Sequence, residues 1–386
     1  MHDPLHDSPA DVLRVLGSRL QVVDHHLVGV IRARQALARQ VGYTKRRDVD
    51  EDHPFGQPIS RPDIEAKRIE SICQVAEAQG VNPHLMAGIL YFLITESCKE
   101  QMIQFQAGDF GYGEVDYDTL KSNLIALADE ISAKYHEHLL QFPATQSYLS
   151  FEQEVLKAQV KQLDESACAL DLGCGIGGLT FPLSQMFDRV VAVDISMGMI
   201  EQVRAKMDLD GVGNVEPVCA DIEGHESPWG KIEDNSIDFV AMGLGMASCI
   251  KDVRRVMNQI ERVLAPGGRF ILSFYNTDAL LYRWFSPWAN SLAAVIDVGR
   301  HCLDVERGGR ILSVYAKPYT IDEVEELIGR RMQVTSLYAH PTFASILPRE
   351  MLQDEGVGEA VAKLDLERAH SSESDGAYII AVGRKG

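Results

Sequence analysis

Asp171-Leu172-Gly173-Cys174-Gly175-Ile176-Gly177-Gly178 follows the short apolar run Ala167-Cys168-Ala169-Leu170, so a carboxylate stands two residues ahead of a glycine cluster. Glycines at 173, 175 and 178 permit a tight turn, close approach of backbone to a ligand, and packing of the next helix on a sheet. Those are the requirements of a nucleotide-like cofactor. A second acid, Asp194, ends the apolar run Arg189-Val190-Val191-Ala192-Val193. It falls about 20 residues past the glycine turn, where a carboxylate can hold both hydroxyls of a ribose. A third acid, Asp221, ends Val215-Glu216-Pro217-Val218-Cys219-Ala220 and could accept a hydrogen bond from an adenine amine.

The elements needed to position these acids are legible around them. The pattern predicts strand, glycine turn and a helix over 179–186, then strands ending at Asp194 and Asp221. A fourth strand is predicted at Ile237-Asp238-Phe239-Val240-Ala241-Met242 and a helix over 260–264. That helix is closed by Ala265-Pro266-Gly267-Gly268, before a fifth strand over 269–274. In this order the segment 166–276 resembles the class I S-adenosylmethionine-dependent methyltransferases. The resemblance implies a doubly wound, seven-stranded, mostly parallel Rossmann-like sheet with cofactor at the carboxyl ends of its first two strands. It further implies that Asp171, Gly173, Cys174, Gly175, Asp194, Ile195, Asp221 and Ile222 hold S-adenosyl-L-methionine, with S-adenosyl-L-homocysteine as product. The alternatives are an NAD-binding Rossmann domain or a doubly wound domain whose glycines only pack. A dehydrogenase would need a second mononucleotide unit, and no glycine-rich strand turn recurs after Asn276.

The chain has 386 residues, which suits two domains rather than one core. Its seven cysteines are scattered and form no C-x-x-C pair, which argues against a disulfide frame or a zinc site and predicts no metal. The N-terminus shows no signal-peptide pattern and no run reaches membrane-span length, so the reading is a cytoplasmic protein without a membrane partner. The formal net charge of −19 would repel a phosphate backbone, and the basic cluster Lys45-Arg46-Arg47 is followed at once by acids. Nucleic acid is therefore not the expected methyl acceptor. A small-molecule metabolite is.

Residues 11–41 lack proline and carry an apolar stripe of Leu13, Leu16, Leu20, Val23, Leu27, Val30, Leu37 and Val41, predicting one long helix packed along most of its length. Position 34 continues the stripe but holds Arg34. A guanidinium there must meet an anion or carboxylate, or snorkel to solvent. Helices follow over 63–79 and 83–104, the latter with proline in its first turn. On it Ile89, Leu93, Ser97 and Gln101 are spaced by four, which brings a hydroxyl and an amide onto an apolar face, as a small polar pocket or a buried hydrogen-bonded pair.

Residues 10–105 resemble the all-helical, intertwined-dimer type of chorismate mutase. The matching features are Val23-Asp24, Arg34, Val41-Gly42 and Lys45 on the long helix, Glu65 at the start of the second, and Glu96-Ser97 with Gln101 on the third. The resemblance implies a mutase-like pocket in which Arg34, Lys45, Glu65, Ser97 and Gln101 bind a dicarboxylate and its ether oxygen, and it implies a homodimer. The chain departs from the pattern where the arginine sent into the partner's site falls at Gly17, and where an acid and an arginine near the second helix fall at Arg61 and Ile64. The mutase rearrangement relies on cations that hold two carboxylates and stabilise the breaking ether bond. Their loss predicts weak or absent turnover and a unit used for dimerisation or for shaping the acceptor pocket. A bifunctional enzyme with residual mutase activity, and a methyltransferase gated by an aromatic-pathway acid, are the alternatives.

The domain reading is thus 1–106 mutase-like, 107–165 connecting helices covering the cofactor site, and 166–386 methyltransferase with an acceptor lid around 276–315. In the connector, Gly108, Gly111 and Gly113 mark a loop, and amphipathic helices are predicted over 117–138 and 151–163, with Tyr135 and His138 facing either the pocket or solvent. Tyr282, Trp284, Phe285, Pro287 and Trp288 concentrate aromatics in the lid, to enclose an acceptor or simply to pack. A base is needed only if the acceptor must lose a proton. Candidates are His138, Tyr282 and His301, with His340 beside them, none carried by a motif.

Overall fold

The computed structural model describes residues 9–47, 62–107, 116–140, 143–161, 163, 168–224, 227–283, 296–297, 301–307, 310–329, 332–347, 349–371 and 375–386. It divides into two compact units, residues 1–111 and 112–386. The connecting helices expected between two domains therefore belong to the second unit.

The first unit is three helices, α1 (Pro9–Arg47), α2 (Pro62–Ala78) and α3 (Pro83–Ala107). Both α1 and α2 pack on α3, which buries Ala87, Tyr91, Ile94 and Cys98. The stripe on α1 is left open within one chain. Leu13, Leu16, Leu20, Val23, Leu27, Val30, Leu37 and Val41 are each between 47% and 68% exposed, so the helix is not packed along its length within one chain. Only near its carboxyl end do Ala38 and Gly42 become buried.

The second unit begins with α4 (Tyr117–Ile131), a 3-10 turn over Ser132–Lys134, α5 (Tyr135–Leu140) and α6 (Pro143–Val160). The helix expected over 117–138 is thus broken at Ser132. The next starts eight residues before its expected position of 151, with Pro143 filling a first-turn site whose N–H needs no partner. Then come β1 (Cys168–Leu172), α7 (Thr180–Ser184), β2 (Arg189–Asp194), α8 (Met197–Asp210), β3 (Val215–Cys219), β4 (Ile237–Met242), α9 (Val253–Val263) and β5 (Leu264–Tyr275). The chain continues through α10 (Leu280–Arg283), β6 (Ile296–Asp297), β7 (Cys302–Arg307), β8 (Arg310–Tyr315), α11 (Ile321–Ile328), β9 (Met332–His340), α12 (Arg349–Leu352), α13 (Glu355–Ala369) and β10 (Tyr378–Lys385).

Seven strands form one sheet in the order β3-β2-β1-β4-β5-β10-β9, parallel from β3 to β5, with β10 antiparallel to both neighbours. This is the doubly wound Rossmann-like architecture expected from the sequence. Its inner strands β1, β2 and β4 are buried on both faces and read as apolar runs, whereas the edge strand β3 is half exposed. Alternate residues feed two cores: Ala169, Ala192, Phe239 and Ile271 face one, and Leu170, Val193, Val240 and Leu272 the other. Strand order reverses at β1, between β2 and β4, which opens a crevice at the carboxyl ends of the strands.

The apolar run Ile311-Leu312-Ser313-Val314-Tyr315 lies in β8, outside this sheet. It pairs with β7, and β7 with β6, in a separate antiparallel sheet whose other two strands the sequence reading missed. Short runs broken by charges, as in Cys302-Leu303-Asp304-Val305-Glu306-Arg307, carry little strand signal. The aromatic stretch 284–288 and the glycine loop 108–113 lie outside the described residues.

Candidate cofactor site

Beyond β1 the backbone turns through Gly173, Gly175 and Gly177 with φ of 71°, 53° and 92°, values that exclude most side chains. At Gly173 space adds a second restriction, because a Cβ there would stand 2.4 Å from Met246 Cγ. Asp171 lies beneath this turn, 2% exposed, and accepts the Thr180 hydroxyl at 2.6 Å. Burial raises its carboxyl to about 7, and the Asp194 charge pushes in the same direction. Cys174 is buried beside these two acids, and burial holds its thiol well above the ordinary range.

Asp194 ends β2, and its two oxygens reach opposite sides of the crevice. Oδ2 accepts the Gly175 N–H at 2.8 Å and Oδ1 the Ser196 N–H at 2.9 Å. Burial raises its pKa, while these backbone bonds oppose the rise. Asp221 follows β3. Its Oδ1 accepts the Glu223 N–H at 2.8 Å and its Oδ2 the Lys121 ammonium at 2.9 Å.

The helix α4 crosses above this crevice and is tied down at three points. At its start Lys121 bridges Asp221 and Glu223, the latter at 3.4 Å, and the Tyr117 hydroxyl donates to Glu223. In its middle the Asn123 amide donates to the Ser313 carbonyl at 2.9 Å, which joins α4 to β8. Near its end Asp129 accepts from the Ser196 hydroxyl at 2.5 Å and from the Gly198 N–H at 2.9 Å. Burial acts against the Lys121 charge, but the hydrogen bond to Asp221 and the Glu223 charge outweigh it, so its pKa lies above the ordinary value.

Together these elements line a cleft at the carboxyl ends of the strands. Gly173, Val193, Asp194, Ile195, Asp221 and Ile222 line one side, and Tyr117, Leu120, Lys121 and Leu124 of α4 the other, with Met246, Cys249, Ile250 and Tyr315 at the margin. Of the residues expected to hold the cofactor, Gly173, Asp194, Ile195, Asp221 and Ile222 meet in this cleft. Asp171, Cys174 and Gly175 support it from below rather than lining it. Apolar walls and two acids at strand ends suit an adenosyl group. The residues present therefore fit S-adenosylmethionine.

Helix α4 belongs to the connecting helices expected over the cofactor site, but Tyr117, Lys121 and Asp129 form no motif and were not singled out from the sequence. Tyr135, for which solvent was one expected surrounding, instead lies against the glycine turn, with its ring 3.9 Å from where a Cβ on Gly175 would stand. Burial raises its hydroxyl pKa, as does the nearby Asp194 charge. Tyr282 on α10 is largely enclosed near Tyr378, and burial raises its pKa too. His301 precedes β7 with φ of 53°, in the small sheet. His340 is buried at the end of β9, where its Nε2 lies 3.0 Å from Ser147 Oγ, and burial lowers its pKa to about 4. None of the three lines the cleft, and the His138 side chain lies outside the described residues.

In the helical unit Arg34 donates to the Ser97 hydroxyl at 3.0 Å, and Ser97 donates to the Leu93 carbonyl at 2.7 Å. Burial lowers the Arg34 pKa, the Arg68 charge lowers it further, and Glu65 opposes. Lys45 and Glu65 also act on neighbouring Cys98, whose thiol burial raises to about 12. Four of the five expected pocket residues thus share one region, and Gln101's side chain is outside those described. Arg68, one helical turn beyond Ile64, is a cation that the sequence reading did not single out. Among the described residues no group of acids, histidines and cysteines has metal-site geometry, and no helix is long and apolar enough to cross a membrane.

Comparison with known families agrees with both halves. Residues 170–272 match the methyltransferase domain family, and residues 16–102 match type II chorismate mutase. Among curated proteins the chain is 29% identical over 169 residues to a ubiquinone/menaquinone biosynthesis C-methyltransferase of Hahella chejuensis, covering 42% of this chain and 64% of that protein. It is 25% identical to the sterol 4-C-methyltransferase of Caenorhabditis elegans, covering 44% and 55%. Identity is 30% to the malonyl-[acyl-carrier protein] O-methyltransferase of Hahella chejuensis, covering 44% and 57%. The chain thus spans less than two thirds of the length of these relatives.

Proposed function

We propose that this chain, in which a chorismate mutase type II domain precedes a class I S-adenosylmethionine-dependent methyltransferase domain, transfers a methyl group to a small-molecule metabolite and works as a homodimer through its helical unit. The observation that carries the reading is the cleft at the β1/β2 strand ends, where Asp194 and Asp221 meet the glycine turn. Two of the relatives, a ubiquinone/menaquinone biosynthesis C-methyltransferase and a sterol 4-C-methyltransferase, support a small-molecule acceptor.

When bound, S-adenosylmethionine supplies an already activated sulfonium methyl for in-line displacement. The work left to the chain is alignment. Asp194, fixed by the Gly175 and Ser196 amides, would hold the ribose, and Ile195 and Ile222 would flank the adenine. The helix α4 excludes water from above, anchored by Lys121 and Asp129. Calorimetric titration tests this reading: S-adenosylmethionine binds in the micromolar range and NAD does not. Saturable NAD binding without S-adenosylmethionine binding would replace it by a dehydrogenase-type reading.

Dimerisation is supported by the exposed stripe of α1, too apolar for a face kept in water. A second reading, an acid bound in the helical unit that gates methyl transfer, is favoured by Arg34. Among the described residues its guanidinium is bonded to a hydroxyl rather than a carboxylate, close to a second arginine. Chorismate should then bind the wild type at least about tenfold more tightly than Arg34→Ala, the loss of one charge-assisted bond. Equal affinity would reduce the unit to its dimerising role.

A further inference from the structure

Glu152 on α6 belongs to no motif, yet it is 1% exposed and holds the backbone at the edge of the cleft. Its Oε1 accepts the Tyr148 hydroxyl from one turn earlier and the Leu244 N–H at 3.0 Å. Because the single Tyr148 proton points to the carboxylate, the 2.5 Å contact between Tyr148 Oη and Ser273 Oγ must use the serine proton. Ser273 Oγ accepts the Gly245 N–H at 2.8 Å. Every donor in this buried chain therefore runs toward Glu152.

What it grips is the turn Gly243-Leu244-Gly245-Met246 after β4. Leu244 and Gly245 have φ of 49° and 72°, two successive left-handed residues, a conformation that a leucine keeps only where its surroundings hold it. Space is shaped to match. A Cβ on Gly243 would stand 3.0 Å from both Glu152 oxygens, and one on Gly245 would stand 2.9 Å from the Tyr275 ring. Met246 comes next and fills the place of a Cβ at Gly173, and with Cys249 and Ile250 it borders the cleft.

We infer that Glu152 is a positioning residue for methyl transfer: through Leu244, and through Tyr148 and Ser273, it fixes the turn after β4 and so sets Met246, Cys249 and Ile250 at their distance from the glycine turn. The inference rests on the reading of the cleft as the S-adenosylmethionine site. Glu152 does not line the cleft, so it acts through the turn rather than on the ligand. Burial raises its carboxyl to about 7, against the Tyr148 and Leu244 bonds that favour the charged form. A methionine would occupy similar volume without that opposition, so what the carboxylate adds is the bonds.

The test compares wild type, Glu152→Ala, Glu152→Gln and Tyr148→Phe by S-adenosylmethionine calorimetry and by amide hydrogen exchange at Leu244 and Gly245. Glu152→Ala weakens binding by about tenfold or more and accelerates exchange at both amides. Glu152→Gln keeps an oxygen for the Leu244 N–H and returns affinity to within about threefold of wild type. Tyr148→Phe cuts the relay and releases the Gly245 amide more than the Leu244 amide. If Glu152→Ala fails to fold, the contrast between Glu152→Gln and Tyr148→Phe carries the same information. Wild-type affinity with slow exchange in Glu152→Ala, or a glutamine variant as impaired as the alanine one, overturns the inference. If wild type does not bind S-adenosylmethionine, the reading of the cleft has failed and the role in methyl transfer falls with it, whereas the exchange data still decide whether Glu152 holds the turn.

Discussion

Asp194→Ala abolishes S-adenosylmethionine binding, with Kd rising by about two to four orders of magnitude. The size follows from two effects. Two hydroxyl contacts to a carboxylate contribute roughly 1.5–3 kcal/mol each, and about 1.4 kcal/mol is a factor of ten. The same substitution also strips the Gly175 and Ser196 N–H groups of their shared acceptor, so the glycine turn loses one of the bonds that hold it to β2. Asp194→Asn separates the two contributions. Its amide oxygen can keep one backbone bond while losing the charge, so its Kd falls between wild type and alanine. Isothermal titration of the three proteins measures this directly, with the melting temperature as a check on folding. An alanine variant that binds within threefold of wild type would remove Asp194 from the site.

The second large effect concerns the other unit. Leu20 and Leu27 are 64% and 52% exposed on the α1 stripe, at positions that a dimer seam would bury. Leu20→Glu combined with Leu27→Glu places two carboxylates per chain, four per dimer, in that seam. An unpaired buried charge costs several kcal/mol, so the dimer constant weakens by more than about a thousandfold. Sedimentation equilibrium at micromolar protein should then give a mass near 42.8 kDa for the variant and twice that for wild type. A wild type that sediments at 42.8 kDa would leave the stripe without the partner proposed for it, and an unshifted variant would place the interface elsewhere.

The contrast between what the sequence displayed and what it concealed follows from the range of the interactions involved. The inner parallel strands were legible because they are buried on both faces and must be apolar, and Asp194 stood out as a charge ending such a run. Gly173 was legible because a turn with that backbone admits no side chain. Helix α4 was legible as an amphipathic segment, but the residues that tie it down were not. Its importance lies in Lys121 meeting Asp221 and Asp129 meeting Ser196, pairs separated by 100 and 67 positions that no local pattern encodes. Glu152 was concealed for the same reason, its partners Leu244 and Ser273 being brought to α6 only by the closing of the sheet. In the helical unit the stripe was legible as a face that needs covering, and within one chain it is left exposed. Periodicity reports that a face must be covered, not by which molecule.

Methyl transfer itself is the most direct test. Pure protein is incubated with methyl-labelled S-adenosylmethionine and a small-metabolite extract, beside an Asp194→Ala control, and the products are resolved by mass spectrometry. The account predicts a labelled small molecule that is absent from the control, with S-adenosylhomocysteine released in equal amount. Wild-type protein that binds the donor yet leaves all label on it, across extracts rich in quinones, sterols and acyl thioesters, would contradict it.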